Sequence, residues 1–292
     1  MALNQAQARE HLNVIAVETG STALLRLLTA FVDGDFNAVA GVTASAAEIN
    51  VLDGLNVPQA ELKAVDPSQK VVFFDDFLAA GIDGRISSTA GSGTGNQAAT
   101  TVANGLNGRI TLKSASDDGT HAANCTSLTL DQLNFKASEG NLAIEVRLAI
   151  DDVSEAVLFV GFTDTISTTV ELPIFMNAAD IDSDATDAAG IVYDVDATTK
   201  QWCHGGVKAG ADTTPAYSGT APTDGTMVTL RAEITSAGAL IGYVNGVAIG
   251  AAIADAVTTS VALTPCIVIG NRSANQVTAT VDYIHVMQGR TS

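Results

Sequence analysis

The chain has 292 residues, enough for one large domain with an appendage or for two domains, and 47% of them are hydrophobic, which is enough to fill a core. Aromatic residues make up 5% and charged residues 16%, so that core is built mostly from Val, Ile, Leu and Ala. The net charge of −18, from 32 acidic against 14 basic residues, repels a phosphate backbone and argues against nucleic-acid binding through a basic patch.

Three cysteines, Cys125, Cys203 and Cys266, are an odd number at wide spacing, with no CxxC or Cys/His zinc pattern. They read as small buried apolar groups. The start of the chain does not read as a secretory signal, because Asn4, Gln5, Gln7, Arg9, Glu10 and His11 precede any apolar run. The stretch 12–32 is broken by Glu18 and Arg26, so no membrane insertion is expected, and synthesis in a cytoplasm is.

Residues 1–70 have a texture of their own. Leu24, Leu25, Leu28 and Phe31 form a one-sided apolar stripe at helical spacing. A short repeat follows: Glu48 to Asp53 aligns with Glu61 to Asp66, thirteen residues later, and places Ile49 and Leu52 against Leu62 and Val65. Ser45 with Glu48 fits a capping box, and Pro58 fits a first helical turn. Units this small cannot bury their own apolar faces. They need neighbours on the same chain or on symmetry mates, so 1–70 is expected to be a small helical attachment arm.

From Val71 the pattern turns to strands, with many Thr, Val and Gly. Phe73-Phe74-Asp75-Asp76-Phe77 opens the region and Val281 to Val286 closes it, and these two are expected to pair. Between them, strands are read near 108–114, 127–133, 141–150, 156–164, 190–194, 227–235, 239–244 and 261–269. In 142–148 one parity is apolar, while Glu145 and Arg147 fall on the other with Ala143. Asn245-Gly246 marks a hairpin. The Gly91 to Gly95 loop lacks the Lys-Ser/Thr of a P-loop and reads as a tight or flexible turn.

Candidate chemistry is sparse. Asp180, Asp182, Asp184 and Asp187 alternate in a way that suits a hard cation such as calcium, although Ala185 and Ile191 break the EF-hand pattern. A solvated acidic loop explains the same residues, and Asp117-Asp118 is a weaker acidic turn. No other cofactor is expected. The histidines His11, His121, His204 and His285 are isolated, and no Gly-x-Ser-x-Gly elbow occurs. Trp202, the one tryptophan, and Tyr217, in the polar loop 213–223, are candidate sugar-stacking residues, with a core anchor as the other reading of Trp202.

The string Gly41-Val42-Thr43-Ala44-Ser45-Ala46-Ala47-Glu48-Ile49-Asn50-Val51-Leu52-Asp53-Gly54 resembles a recurring element of tailed-bacteriophage virion proteins, found in fibres and head-decoration proteins. Residues 71–292 resemble the concanavalin-like jelly-roll sandwich, shared with laminin-G-like modules. The resemblance rests on Phe74-Asp75-Asp76-Phe77, Ile144 to Arg147, Phe159 to Asp164, Val244 to Gly246 and Val281 to Ile284. Together they imply a mainly β, antiparallel jelly-roll behind a helical arm, on the outer surface of a virion. The implied function is capsid decoration as a homotrimer bound to the major capsid protein. The alternative is a tail fibre or receptor-binding protein whose sandwich takes host-surface glycans. Glucanases of this fold carry a Glu-x-Asp-x-x-Glu or Glu-x-Asp-x-Glu strand, which is absent here, so no enzyme is expected.

Overall fold

A computed structural model describes residues 70–79, 81–103, 105–117, 121–166 and 172–290. The arm residues Leu24, Leu25, Leu28, Phe31, Ile49, Leu52, Leu62 and Val65 lie outside them. Two eight-stranded sheets face each other. Sheet 1 holds β1 (Lys70–Asp75), β3 (Gln97–Thr101), β4 (Ile110–Lys113), β6 (Leu142–Ile150), β14 (Val228–Ile234), β15 (Leu240–Val244), β16 (Val247–Ala248) and β18 (Thr278–Gly289). Sheet 2 holds β2 (Ser87–Ala90), β5 (Thr126–Thr129), β7 (Ala156–Thr163), β10 (Ala188–Asp194), β11 (Cys203–Lys208), β12 (Ala211–Asp212), β13 (Ala216–Tyr217) and β17 (Thr264–Asn271). A separate hairpin joins β8 (Ile174–Asn177) to β9 (Asp180–Ser183). Helix among the described residues is limited to α1 (His121–Asn124) and a 3-10 turn, Ala137–Glu139.

The expected pairing of first and last strands is present. Phe73 faces Val286 and Phe74 faces His285 in the antiparallel register of β1 on β18. Phe73 and Val286 point into the core while Phe74 and His285 point out, as the period of two requires. Strand β6 continues the layer with Ile144, Val146 and Leu148 inward and Glu145 and Arg147 outward. One irregularity matters later. The register of β18 on β6 slips between Val281 and Tyr283, so Val281 and Ile284 both stay in the core, and Asp282 is the extra residue of a bulge.

The two sheets differ in how many of their faces are covered. Every residue of β7 and of β17 is buried. Their inward parity, including Leu158, Val160, Phe162, Ile267 and Ile269, fills the core between the sheets. Their outward parity, including Val157, Phe159, Cys266 and Val268, packs under the β8–β9 hairpin with Ile174, Met176 and Ile181. A near-continuous apolar strand needs cover on both faces, and the hairpin supplies the second one. Each such side chain contributes about 1.5–3 kcal/mol by leaving water. Sheet 1 alternates instead, and no described element covers its outer face. All three cysteines are buried, as their spacing suggested, and all belong to the cluster beneath the hairpin.

Candidate functional site

The outer face of sheet 1 carries a straight row of polar and aromatic side chains across five strands. Phe74 of β1 faces His285 of β18, which faces Glu145 of β6, which faces Arg231 of β14, which faces Tyr243 of β15. Adjacent strands lie about 4.8 Å apart, so the row spans on the order of 19 Å. An aromatic ring stands at each end. Phe74 is 53% exposed, packs edge-on to His285 at 5.8 Å, and lies 6.0 Å from the ring of Tyr283.

The middle of the row is cross-linked. Tyr283 Oη donates to Glu145 Oε1 at 2.8 Å. Arg231 Nε donates to Glu233 Oε1 at 2.6 Å, and its Nη1 reaches Glu145 Oε2 at 3.4 Å. The two glutamates of this face thus share one guanidinium. Burial works against the Arg231 charge, but the hydrogen bond and charge of Glu233, with Glu145, hold its pKa above the ordinary value. Burial raises the Tyr283 phenol, and its bond to Glu145 adds to that. Burial also lowers His285, which Glu145 partly offsets. Below the row, the bulged Asp282 is bonded by Arg147 and lies 3.7 Å from Arg109 Nε. A groove of about 290 Å3 continues the face beside Arg231 and Glu233, bounded by Lys70, Asn141 and Met287. The face carries Lys70, Arg109, Lys113, Arg147 and Arg231 together with Glu145, Asp151, Glu233 and Asp282.

Glu145 and Arg147 share the outward parity, and the partners of Glu145 are on the neighbouring strands β18 and β14. The row itself was not read from the sequence. Its ingredients were visible as period-two polar residues, but the register that aligns them was not.

The sequence-predicted sugar contacts are not brought together. Trp202 is 2% exposed, belongs to the core between the sheets, and packs on Tyr193 with ring centroids 5.6 Å apart. It floors a cleft of about 380 Å3 walled by Ser218, Thr220, Pro222, Thr226, Asn245 and Val247. Tyr217 lies opposite Cys203 in the β13–β11 ladder and packs against the cluster on the other face of sheet 2. Nor do the four aspartates converge. Asp180 and Asp184 are exposed, and Asp182 Oδ1 accepts the Ser183 N–H at 2.9 Å. Asp187 is buried and accepts the N–H groups of Thr258 at 2.6 Å and Ala209 at 3.3 Å, which ties two loops together. Among the described residues, no three His, Cys, Asp or Glu side chains gather as a metal cluster. His204 lies wholly inside the core, and His11 lies outside the described residues.

No family model matches this chain, and no curated protein matches it. Solved structures do. The carbohydrate recognition domain of Emp47p is similar at a TM-score of 0.52 with 12% identity, over 76% of this chain and 98% of that one. Peanut lectin bound to a nine-residue peptide gives 0.50 and 11%, over 76% and 99%. A glycoside hydrolase family 16 endo-glucanase from Bacteroides ovatus gives 0.49 and 11%, over 73% and 99%. The fold is therefore a two-sheet antiparallel β-sandwich, consistent with the jelly-roll of the Emp47p domain and peanut lectin.

Proposed function

We propose that this chain is a non-catalytic structural protein of a tailed-phage virion. In this reading it decorates the outer capsid surface as a homotrimer, gripping the major capsid protein and its own copies through residues 1–70. The observation that carries the reading is the joining of the Gly41–Gly54 element to a jelly-roll in which the two glutamates on the outer face of sheet 1 are spent on Arg231 and Tyr283. Glycoside hydrolysis needs one carboxyl to give a proton and a second to attack or activate water across an open subsite. Glu145 and Glu233 instead face one guanidinium. Leu24, Leu28, Ile49, Leu52, Leu62 and Val65 would be buried between chains, contributing about 25 cal/mol per Å2 of apolar area before ordering costs.

Electron cryo-microscopy of virions tests this directly. Density for the sandwich at three-fold or quasi-three-fold capsid positions is expected, with loss of occupancy when Ile49 and Leu62 are changed to Asp in the full chain. Density confined to the tail would overturn the decoration reading.

A tail fibre or receptor-binding protein that takes host-surface glycans is the second reading, favoured by the aromatic-ended row on sheet 1. Aromatic rings at a surface offer apolar faces to sugar rings. A glycan array probed with the full chain is expected to show binding that Phe74→Ala and Tyr243→Ala both weaken. Binding indifferent to both substitutions would remove the row from this role.

A further inference from the structure

Among the described residues, strand β1 pairs only with β18, and no strand lies along its other side. The direction of its spare backbone groups follows from the ladder next to it. Gly289 N–H donates to Asn141 O, so Gly289, Met287 and His285 spend their backbone groups on β6. Gln288, Val286 and Ile284 therefore turn theirs toward β1, where they stand opposite Val71, Phe73 and Asp75. Lys70, Val72 and Phe74 are left with N–H and C=O groups aimed at the open side. Six residues at about 3.4 Å each make this a template about 20 Å long.

The other sheet edges are blunted against such pairing. Strands β16, β12 and β13 are two residues long each. Strand β3 is interrupted by a register shift between Gln97 and Thr100, and β2 is a short run of Ser, Thr and Ala. Strand β1 has no bulge, no proline and no charge in its centre, Val71-Val72-Phe73-Phe74. Its surroundings are apolar too. Nine large apolar side chains are exposed among the described residues; Val71, Val72 and Phe74 lie on this strand, and Leu78 and Val102 line the hollow where it ends. An edge of this length and composition pairs with another chain unless something covers it.

We infer that the occupant is β1 of a second copy of this chain, paired antiparallel across a two-fold axis centred on Val72. In that register Val72 faces Val72 of the second copy, Lys70 faces its Phe74, and Val71 faces its Phe73. The residues with spare backbone groups, Lys70, Val72 and Phe74, then meet one another, so every N–H and C=O on the edge is satisfied. Centring the axis on any other residue leaves part of the edge unpaired. No like charges come opposite each other, and the Lys70 ammonium lies beside an exposed ring, a favourable contact. Val71 points inward by parity yet is 37% exposed, because the core ends there, and Phe73 of the second copy covers it. The inference goes beyond the decoration reading and does not depend on it: the two-fold concerns 70–75 alone, whatever symmetry the arm imposes.

The test places single cysteines on the edge of the full chain, whose three native thiols are buried. In the inferred register the two Val72 Cα atoms lie about 5.5 Å apart, within disulfide range. The two Phe74 positions are offset by four residues along the strands, roughly 14 Å. Under mild copper–phenanthroline oxidation Val72→Cys is expected to give a two-chain product, and Phe74→Cys little or none. Val72→Pro removes an N–H that no bond within the chain uses, so the fold should persist while the pairing loses its centre. Its mass by sedimentation is expected to be half that of the unaltered chain, with the same far-ultraviolet circular dichroism. The inference is overturned if Val72→Cys stays uncross-linked, or if Phe74→Cys cross-links as readily. An unchanged mass in folded Val72→Pro overturns it as well.

Discussion

His204 Nδ1 on β11 accepts the backbone N–H of Gly242 on β15 at 2.7 Å, a hydrogen bond that crosses the core from one sheet to the other. The other ring nitrogen faces Ala251 O at 3.1 Å, so the ring must be neutral with its proton on Nε2. Gly242 is what lets the strand come this close. A Cβ there would stand 3.0 Å from Nδ1 and 3.1 Å from Ile191.

This bond predicts acid sensitivity. Burial lowers the His204 pKa below its ordinary 6.5, with the bond to Ala251 opposing only in part. The unfolded chain then binds the proton more readily than the fold. Stability is complete above about pH 6.5 and falls as pH drops from there through the folded pKa, by at most about 1.4 kcal/mol per pH unit for one such group. His285 acts in the same direction with less weight, being half open to water. Urea midpoints between pH 7.5 and 5 are expected to decline, and His204→Gln to be less stable at pH 7.5 but flatter across that range. A wild-type midpoint independent of pH would contradict the neutral tautomer.

Arg272 and Asp194 make a second testable pair. Asp194 is buried and accepts Arg272 Nε at 3.0 Å, a further bond from the same guanidinium, and the Met176 N–H at 2.9 Å. The guanidinium also lies 5.3 Å from the Phe175 ring centre, so one ion pair fixes β8 to sheet 2. Removing one partner leaves a buried charge uncompensated, and Arg272→Leu is expected to cost about 3–5 kcal/mol. Adding Asp194→Asn should recover part of that loss. A double-mutant cycle by chemical denaturation measures it, and simple additivity would show that the two do not act as a unit.

The sequence was most legible where local rules and tertiary structure agree. The pairing of the strand around Phe73 with the one from Val281 to Val286, the parity of Glu145 and Arg147, and the Asn245-Gly246 turn, with both residues at positive φ, are of that kind. The β8–β9 hairpin was missed because its turn is Asn177-Ala178-Ala179-Asp180, with Ala178 at φ 55° and no glycine to mark it. Strand β11 was missed for the opposite reason. Gly205-Gly206 looks like a turn, yet both residues lie within a strand, where Ile181 presses on one and Ala256 on the other. The row on sheet 1 was hidden for a third reason. Its residues are scattered from Phe74 to His285, and only the strand register lines them up.

The contact of Ile181 with Gly205 yields the last prediction. The Ile181 Cδ1 occupies the space a Cβ at Gly205 would need, so a larger residue there must turn the Ile181 side chain or push β9 away from sheet 2. Beneath this hairpin lie Cys125, Cys203 and Cys266, and Cys203 Sγ is 3.7 Å from Met176 Sδ of β8. Burial pushes the thiols of Cys125 and Cys203 up to about 12, and that of Cys266 also upward. With neither access nor thiolate character, native thiols should react slowly with a disulfide reagent. Gly205→Ala forces overpacking that costs about 1–3 kcal/mol. If that cost falls on hairpin closure, thiol reactivity rises about tenfold for each 1.4 kcal/mol. The expected result is faster labelling of Cys203 in Gly205→Ala under native conditions, with the larger Gly205→Val faster still. Equal rates in all three proteins would show that the hairpin is not the cover that protects these thiols.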